Sequence, residues 1–352
     1  MWVGFVAYLG ALVAAPRLGR RLVWAAIVLA VAAFAVAPVL LSHDVYSYVA
    51  YARLGAVHGL DPYVKPPLAA PADPVFAEVE WTDATSAYGP LFTLATYPLA
   101  WLSPGPAVAV LKGVAALSVL GLAAILARVA AWRGADPARA AAFLALNPLV
   151  LVHVVGGAHS DGLAMSVALL GVAAVLAARE LSAGAAVASA AAIKSSALFL
   201  APFAFLGATR RSRLAAGALL AATGIALAAQ LAFGWDWLSA FGLAGENQGR
   251  TSHLSIPVTL ARLAGVDPGA VRLAALVLFA LLVACLLLWT WSGGDWVRAG
   301  GWSAAGLLLA TSWLLPWYLI WILPLAAVSR DRPLQLLTLA LTAYQLGARI
   351  PL

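Results

Sequence analysis

The sequence predicts an all-α, polytopic integral membrane protein, and three observations lead to this fold class. Of its 352 residues, 64% are hydrophobic and only 10% are charged, whereas soluble globular domains are about half apolar and a quarter charged. Apolar runs of about 17–25 residues recur along the chain, and each is long enough to cross a hydrocarbon core of roughly 30 Å. In lipid, backbone polar groups must be hydrogen-bonded within the protein, as they are in a helix. These runs show no alternation of polar and apolar residues, which favours helices over strands.

The apolar runs predict a bundle of about 10–12 transmembrane helices. No linker, low-complexity tract or repeat divides the chain, so we expect a single domain over residues 1–352. The segment from Met1 to Ala15 has no basic leader and no cleavage site, which favours a first helix over a removed signal peptide. Segment 183–208 is predicted to form two short arms. The candidate spans are 2–15, 22–41, 105–127, 140–156, 162–178, 183–208, 214–233, 269–290, 300–315, 317–328 and 334–348.

The charged residues predict the orientation of these spans. Arginines collect in short loops, which the positive-inside rule assigns to the cytoplasm. The remaining loops, 42–90, 157–161 and 234–268, then face outside and hold most of the acidic residues. The basic residues form no continuous patch, so nucleic acid is not an expected partner. The arginines that set the orientation are Arg17, Arg20, Arg21, Arg128, Arg133, Arg139, Arg210, Arg211, Arg213, Arg330 and Arg332.

The first outer loop, 42–90, is long and rich in Pro, Tyr and Asp. Its residues 45–58 have apolar side chains at helical spacing, which predicts an interfacial helix with tyrosines at the level of the lipid headgroups. Gly59 and Pro62 end that helix. Pro90 is expected to start another half-buried helix, because proline is favoured at the first helical position.

Asp44 is the candidate general base. It directly follows an apolar span and is flanked by His43 and Tyr46, so its carboxylate could take a proton from a hydroxyl at the membrane surface. Aspartate is also a preferred N-cap residue. Capping of the helix that starts at Val45 therefore remains an alternative role.

His159 and Asp161 form a second polar cluster on the same predicted face. Gly156 and Gly157 precede them and would let the backbone approach a ligand closely. Both side chains could then bind a polar substrate. The alternative is a capped helix start, with Ser160 or Asp161 as the N-cap.

Cations near this face could bind a phosphate. Lys194 lies within an apolar segment, where a lysine is costly and points to a functional site, although it could also extend to the interface as an anchor. Arg250 and His253 belong to the third outer loop. Arg53 and Tyr88 of the first loop, with His43 and Tyr46, complete the candidate substrate contacts, but a charged loop residue is more often simply solvated.

Metal and nucleotide sites are not expected. Cys285 is the only cysteine, so disulfides and cysteine-based metal sites are excluded. The sequence contains no HExxH, no DxD and no Walker A motif. We therefore expect no cofactor and no required metal.

Five segments, taken together, resemble the polyprenol-phosphate-mannose-dependent α-(1,6)-mannosyltransferases of actinobacteria, which belong to the GT-C class of membrane glycosyltransferases. They occur in the family's order and extend over most of the chain. The segments are SHDVYSYVAYARLGAVHGLDPY (42–63), SAYGPLF (86–92), NPLVLVHVVGGAHSDGLAMSVALLG (147–171), AAIKSSALFLAPF (191–203) and PWYLIW (316–321).

This resemblance implies a GT-C-like fold in a bacterial plasma membrane, with an active site that faces outside. A polyprenyl-phosphate-linked hexose, mannose in this family, would be the donor, and a glycan or glycolipid hydroxyl the acceptor. Asp44 would activate the acceptor, with inversion at the anomeric carbon. Lys194 and Arg250 would hold the phosphate leaving group, which needs no acid, unlike the leaving group of a glycosidase.

The same resemblance implies supporting roles for other side chains. His159, Asp161 and Tyr88 would orient the sugar or the acceptor. Trp317 and Tyr318 would line the groove for the sugar or the lipid, although aromatic residues at a membrane interface are ordinarily anchors.

Two other functions stay open at this point. A lipid or small-solute transporter would carry inverted repeats and broken helices in matching positions of two halves, and only the segment at Lys194 is interrupted in the sequence. A non-catalytic membrane subunit would tolerate Asp44→Asn, whereas an enzyme would not.

Overall fold

A computed structural model describes residues 2–246 and 249–348. Within these ranges the chain forms α-helices, short 3-10 turns and one π-helical segment, and no β-strand. The predicted all-α class is confirmed. The helices are α1 (Trp2–Ala14), α2 (Arg20–Val36), α3 (Asp44–Ala56), α4 (Pro90–Thr96), α5 (Pro104–Trp132), α6 (Pro137–Ala145), α7 (Asp161–Leu176), α8 (Glu180–Ile193), α9 (Ala201–Gly207), α10 (Arg211–Phe233), α11 (Ser239–Glu246), α12 (Ile256–Ala264), α13 (Pro268–Trp291), α14 (Trp296–Ala310), α15 (Leu323–Val328) and α16 (Arg332–Gly347).

Among the residues that the structure describes, three helices, α5, α10 and α13, are long and apolar enough to cross a membrane. Most of the side chains of α13 are exposed although they are apolar, which is the pattern of a helix that faces lipid rather than water. Several shorter apolar helices pack around them, as expected for a polytopic membrane bundle. The number of crossings, about 10–12 by length, stays a prediction.

Helices α8 and α10 pack closely because small residues lie between them. A Cβ added at Gly184 would lie 1.9 Å from the carbonyl oxygen of Leu214, and one at Gly217 would lie 1.9 Å from the carbonyl oxygen of Leu181. Glycine is therefore required at both positions for the two backbones to approach this closely. Such small-residue contacts are a common way to pack helices in lipid, where apolar burial alone gives little attraction.

The predicted hairpin in 183–208 is confirmed. Helix α8 ends at Ile193, Lys194 adopts an extended conformation, and a 3-10 turn, Ser195–Leu200, leads into α9. The two arms return to the same level of the bundle, where the Glu180 carboxylate accepts a hydrogen bond from the Arg210 backbone N–H at 3.3 Å. Lys194 thus lies at the tip of the hairpin.

Two predicted spans are not continuous helices. Span 140–156 is divided after α6, because Pro148 cannot donate a backbone hydrogen bond and the Asn147 side chain accepts one from the Leu149 N–H at 3.0 Å. The chain resumes as a π-helical turn, Val150–Val155. Span 317–328 is likewise a 3-10 turn, Pro316–Trp321, followed by α15. Prolines at the start of each piece favour these breaks.

The two ends of the bundle differ in chemistry. At one end, ion pairs join Arg133 to Asp295 and Arg298 to Asp331. Two of the arginine-containing loops predicted to be cytoplasmic meet there, since Arg330 donates a hydrogen bond to the Arg133 carbonyl oxygen at 3.3 Å. The other end carries the first residue of α3, the start of α7 and the tip of the hairpin.

Candidate functional site

A cavity of about 330 Å³ lies at this second end of the bundle. Asp44, Lys194 and Arg250 bring a carboxylate and two cations to its wall, and seven aromatic residues also line it. The aromatic residues that line it are Tyr51, Trp81, Tyr88, Trp313, Trp317, Tyr318 and Trp321. A few convergent polar groups in an aromatic cavity are typical of a site for a small ligand.

The Asp44 carboxylate projects towards this cavity instead of capping its own helix. Asp44 is the first residue of α3, and His43 occupies the N-cap position without a side-chain capping bond. The indole N–H of Trp81 donates to Asp44 Oδ1 at 3.1 Å, and His159 Nδ1 lies 3.6 Å from Oδ2. The capping alternative for Asp44 is therefore wrong.

The segment that leads into Asp44 is held from two sides. Buried Lys112 of α5 donates hydrogen bonds to the carbonyl oxygens of Ala37 and Pro38, which end α2. The Leu40 N–H donates to the Gly156 carbonyl oxygen at 3.3 Å. Leu41 is then turned to a φ of 59°, a conformation that costs a non-glycine residue energy and persists only where its surroundings impose it. The start of α3 is thus firmly placed.

His159 lies behind Asp44, with 1% of its surface exposed. Its imidazole stacks on the indole of Trp317, with ring centroids 3.8 Å apart and planes 18° apart. Ser160, next in the chain, donates its backbone N–H to the Tyr48 hydroxyl at 3.4 Å. The loop 157–160 is thereby fixed against both α3 and the Pro316–Trp321 turn.

Asp161 binds Lys194 in the floor of the cavity. Lys194 Nζ lies 2.5 Å from Asp161 Oδ2, and the Trp321 indole N–H donates to Oδ1 at 2.9 Å. Asp161 is fully buried, whereas the Lys194 side chain keeps 17% of its surface exposed. Asp161 therefore does not cap α7 but neutralises and orients a lysine that lines the cavity. A buried charge needs such a partner.

Arg250 lies between two tryptophans at the rim. Its guanidinium carbon is 5.3 Å from the ring centroid of Trp81 and 5.9 Å from that of Trp313. Both distances fall within the range of cation–π attraction. Arg250 thus joins the loop that contains Trp81 to the segment that follows α14.

Aromatic packing forms the wall on the side of α3. Tyr48 makes edge-to-face contacts with Tyr88 and Phe92, with ring centroids 4.7 Å and 5.0 Å apart. The Tyr51 hydroxyl donates to the Ala84 carbonyl oxygen at 2.9 Å. These contacts fasten residues 84–92 of the first outer loop against α3.

Burial raises the pKa of Asp44 above its ordinary range. The hydrogen bond from Trp81 and the charge of Lys194 act in the opposite direction, while Glu80 and Asp161 add to the rise. A raised pKa makes the ionised carboxylate a stronger base, since the protonated form is stabilised relative to the charged form.

Comparison with known proteins identifies the family. The sequence profile described as "Alpha-(1->6)-mannopyranosyltransferase, N-terminal domain", of the MptA_B family, matches residues 1–210. This match extends over more than half of the chain. The chain belongs to the MptA_B family. The resemblance noted in the sequence is therefore confirmed.

Two curated relatives agree with this assignment. Alpha-(1->6)-mannopyranosyltransferase A of Mycobacterium tuberculosis is 29% identical over 330 residues, which include 83% of this chain and 63% of the relative. Alpha-(1->6)-mannopyranosyltransferase A of Corynebacterium glutamicum is 32% identical over 151 residues, 39% of this chain and 29% of the relative. The chain thus spans less than two thirds of the length of either relative.

In this MptA_B family member, six of the predicted site residues line the cavity. They are Asp44, Tyr88, Lys194, Arg250, Trp317 and Tyr318. His159 and Asp161 lie directly behind them. The structure therefore brings most of the predicted residues together at one end of the bundle, and their roles stay a prediction.

Arg53 lies away from the cavity. Its guanidinium Nε donates to both carboxylate oxygens of Asp73 at 2.9 Å, and its NH1 group donates to the Ala100 carbonyl oxygen at 2.7 Å. His58 Nε2 is 2.6 Å from Asp73 Oδ2. Burial would raise the pKa of Asp73, but hydrogen bonds from the Val75 N–H, His58 and Arg53 outweigh it and lower the pKa. Arg53 fastens the first outer loop.

Three other predicted residues are also outside the cavity wall. His43 is exposed, and its ring packs edge-to-face on Tyr46 with centroids 5.5 Å apart. His253 is exposed in the turn that precedes α12. Their proximity in sequence to Asp44 and Arg250 did not bring their side chains to the same surface.

Sequence reasoning missed the tryptophans that hold the charged groups. Trp81 binds Asp44, Trp321 binds Asp161, and Trp313 packs on Arg250. The chain has 14 tryptophans, and in a membrane protein most serve as interfacial anchors. The sequence signal that could have found Trp81 is its place in an acidic outer loop, five residues before SAYGPLF.

Proposed function

We propose that this chain transfers mannose from a polyprenyl-phosphate-linked donor to a hydroxyl of a glycan or glycolipid acceptor. The observation that carries this proposal is the placement of one carboxylate, Asp44, and two cations, Lys194 and Arg250, around one cavity with several aromatic residues in its wall. The relatives are named alpha-(1->6)-mannopyranosyltransferases, and these names suggest the sugar and the reaction class. The charge pattern of the loops supports a site on the outer face of a bacterial plasma membrane.

The proposed reaction is a single displacement at the anomeric carbon. The acceptor oxygen forms a bond to that carbon while the bond to the phosphate oxygen breaks, so the configuration inverts. The hydroxyl proton passes to the Asp44 carboxylate, and the bonding electrons leave with the polyprenyl phosphate. One carboxylate is sufficient, because a phosphate leaves without protonation, whereas a glycosidase needs a second carboxylic acid for its leaving group.

Asp44 suits the role of base because its carboxylate is held on one side and open on the other. Trp81 occupies Oδ1, and the side chain keeps 14% of its surface exposed towards the cavity. A bound acceptor hydroxyl would meet the remaining lone pairs. The burial that raises the pKa of Asp44 increases its basicity at the moment the proton is transferred.

Lys194 and Arg250 are the proposed ligands of the phosphate. Fixed cations stabilise negative charge that develops on a leaving group, and they do so more strongly in a site shielded from water. The bond to Asp161 fixes the Lys194 ammonium in the cavity floor. Arg250, held by two indole faces, is fixed at the rim.

Aromatic side chains are the proposed contacts for the sugar and the acceptor. Trp317 and Tyr318 form the wall beside Lys194, and the Tyr318 ring stacks on Trp321 with centroids 4.2 Å apart. Tyr88 lines the opposite wall. His159 and Asp161, predicted to touch the substrate, are better assigned to positioning Trp317 and Lys194.

Two features separate this proposal from its alternatives. A transporter of lipids or small solutes would carry paired broken helices in two repeated halves, and membership of a glycosyltransferase family favours an enzyme instead. A non-catalytic subunit would have no use for a base held by an indole N–H. Nucleic acid is not a partner in this proposal, and neither a cofactor nor a metal takes part in the proposed step.

The direct test is transfer by purified protein from radiolabelled polyprenyl-phosphate mannose to a short mannoside in the presence of EDTA. Incorporation of label into the mannoside, with the α-configuration expected for inversion of a β-linked donor, would support the proposal. Failure with mannose but transfer from polyprenyl-phosphate glucose would correct the sugar. Failure with every lipid-linked hexose would reject the enzyme and favour the non-catalytic alternative.

A further inference from the structure

Trp81 makes two contacts that belong to different parts of the cavity. Its indole N–H donates to Asp44 Oδ1 at 3.1 Å, and its ring face carries the Arg250 guanidinium at 5.3 Å. The first contact reaches the proposed base, and the second reaches a proposed ligand of the phosphate. The indole therefore connects the proposed base directly to a proposed ligand of the phosphate.

We propose that Trp81 is a positioning residue that orients the Asp44 carboxylate and is itself oriented by Arg250. This inference rests on the proposed function for its catalytic consequence. Oδ1 is bound to the indole, and the distance of 3.6 Å from His159 Nδ1 to Oδ2 is too long for a hydrogen bond, so Oδ2 can accept the acceptor proton. The same indole ring also contacts Arg250. A phosphate that binds Arg250 therefore affects the orientation of the indole that holds the Asp44 carboxylate.

The geometry around Asp44 shows why an external donor is needed to orient it. Asp44 is the first residue of α3. Its backbone N–H donates a long hydrogen bond of 3.4 Å to Ser42 Oγ. A carboxylate at a helix start can turn back to cap the helix, which would remove it from the cavity. The Trp81 hydrogen bond favours the rotamer that faces the cavity.

A second consequence concerns the proton affinity of the base. Burial raises the pKa of Asp44, and the hydrogen bond from Trp81 is the largest influence that lowers it. Loss of the indole N–H therefore raises the pKa further. The ionisable groups that face Asp44 from neighbouring elements are Glu80, Asp161, Lys194, His159, Tyr48, Tyr51, Tyr88 and Tyr318. The substitution of Trp81 removes none of these groups.

The test is Trp81→Phe, which keeps an aromatic face for Arg250 and removes the N–H donor. We expect kcat to fall about 10- to 100-fold, the range for one hydrogen bond to a charged group, with a smaller change in the donor KM. The acid limb of the pH–rate profile should move to higher pH. An unchanged kcat and an unmoved limb would overturn the inference.

The matched control is Trp302→Phe. The Trp302 indole N–H also donates to a carboxylate, Asp331 Oδ2, at 3.0 Å, but it lies at the opposite end of the bundle. This variant loses the same kind of bond and should keep the wild-type kcat and pH profile. Equal effects of the two substitutions would reduce Trp81 to a structural residue.

An infrared titration separates this inference from the proposed function. The carboxyl band that disappears in Asp44→Asn reports the pKa of Asp44 without any substrate. A higher pKa in Trp81→Phe supports the positioning role even in a protein that transfers no sugar, and an equal pKa contradicts it. If Trp81→Phe does not fold, 3-benzothienylalanine at position 81 keeps the indole shape, lacks only the N–H, and is read by the same titration.

Discussion

The Lys194 ammonium lies 2.5 Å from the Asp161 carboxylate, and the Trp321 indole N–H donates to the second oxygen of that carboxylate at 2.9 Å. Asp161 is fully buried, while Lys194 retains a partial exposure to the cavity. The pair therefore combines a buried charge with a partly exposed one that the proposed function assigns to the phosphate. Each member can be changed separately, which makes the two roles measurable.

Lys194→Met should weaken both folding and function. Removing one partner of a buried ion pair leaves the other charge uncompensated and costs about 3–5 kcal/mol. Donor use should also weaken, because the cavity loses a cation beside the phosphate. Thermal unfolding in detergent and the apparent donor KM measure the two effects.

The double variant Lys194→Met/Asp161→Asn distinguishes these effects. It removes both charges, so most of the lost free energy of unfolding should return. Transfer should stay low, because the cation is still absent. Recovery of both stability and donor KM in the double variant would show that Lys194 has only a structural role.

Transfer should depend on pH through Asp44. The base must be ionised to accept a proton, and burial raises its pKa above the ordinary value of about 3.9. The rate should therefore fall as the pH decreases through this raised pKa. The pH–rate profile of kcat/KM measures it, and an acid limb at or below the ordinary aspartate value would contradict the raised pKa.

The free energy of unfolding should depend on pH in the opposite direction, so Asp44 should make the protein less stable as the pH rises. A carboxyl group whose pKa is raised by folding contributes stability below its unfolded pKa, and this contribution is lost as the pH rises through the folded pKa. Asp44→Asn removes that loss. We expect the melting temperature of Asp44→Asn at pH 7 to equal or exceed that of the wild type, and a clear decrease would contradict the assignment.

The close approach of α8 and α10 gives a prediction about folding. Gly184→Ala would place a Cβ 1.9 Å from the Leu214 carbonyl oxygen, and this backbone atom cannot move without separating the helices. The variant should lower the melting temperature in detergent by several degrees, the scale of a loss of about 1 kcal/mol or more.

Gly224→Ala is the matched control within α10. A Cβ there would meet nothing within 4 Å, and alanine is a better helix former than glycine by up to about 1 kcal/mol. Its melting temperature should equal or exceed that of the wild type. Equal destabilisation by both variants would show that the glycine contact at Gly184 is not what holds the helices together.

Sequence reasoning predicted the charged groups of the cavity well, for a physical reason. Lys194 and Asp44 stand out because a charge within or beside an apolar segment is costly in lipid. The helix break at Asn147 and Pro148 was missed because hydropathy stays high on both sides of it. Trp81 and Trp321 were missed because their roles depend on which carboxylate each indole meets, and that pairing arises only when distant segments pack.

Position in the sequence also proved a poor guide within loops. Arg250 and His253 are three residues apart, yet only Arg250 lines the cavity, since the chain turns between them. Arg53 is on the same helix as Asp44 but points to Asp73 and the Ala100 carbonyl oxygen. Neither outcome follows from residue type or spacing.

The measurement that tests the central claim most directly compares sugar transfer by wild type and Asp44→Asn, both purified, from radiolabelled polyprenyl-phosphate mannose to a short mannoside. The asparagine keeps the size of the side chain and its acceptor oxygen for Trp81 but cannot take up the proton. We predict that the wild type transfers mannose and that the variant is slower by a factor of about 100 or more, with a melting temperature equal to or above that of the wild type. Near-normal turnover by Asp44→Asn would contradict the assignment of Asp44 as the catalytic base.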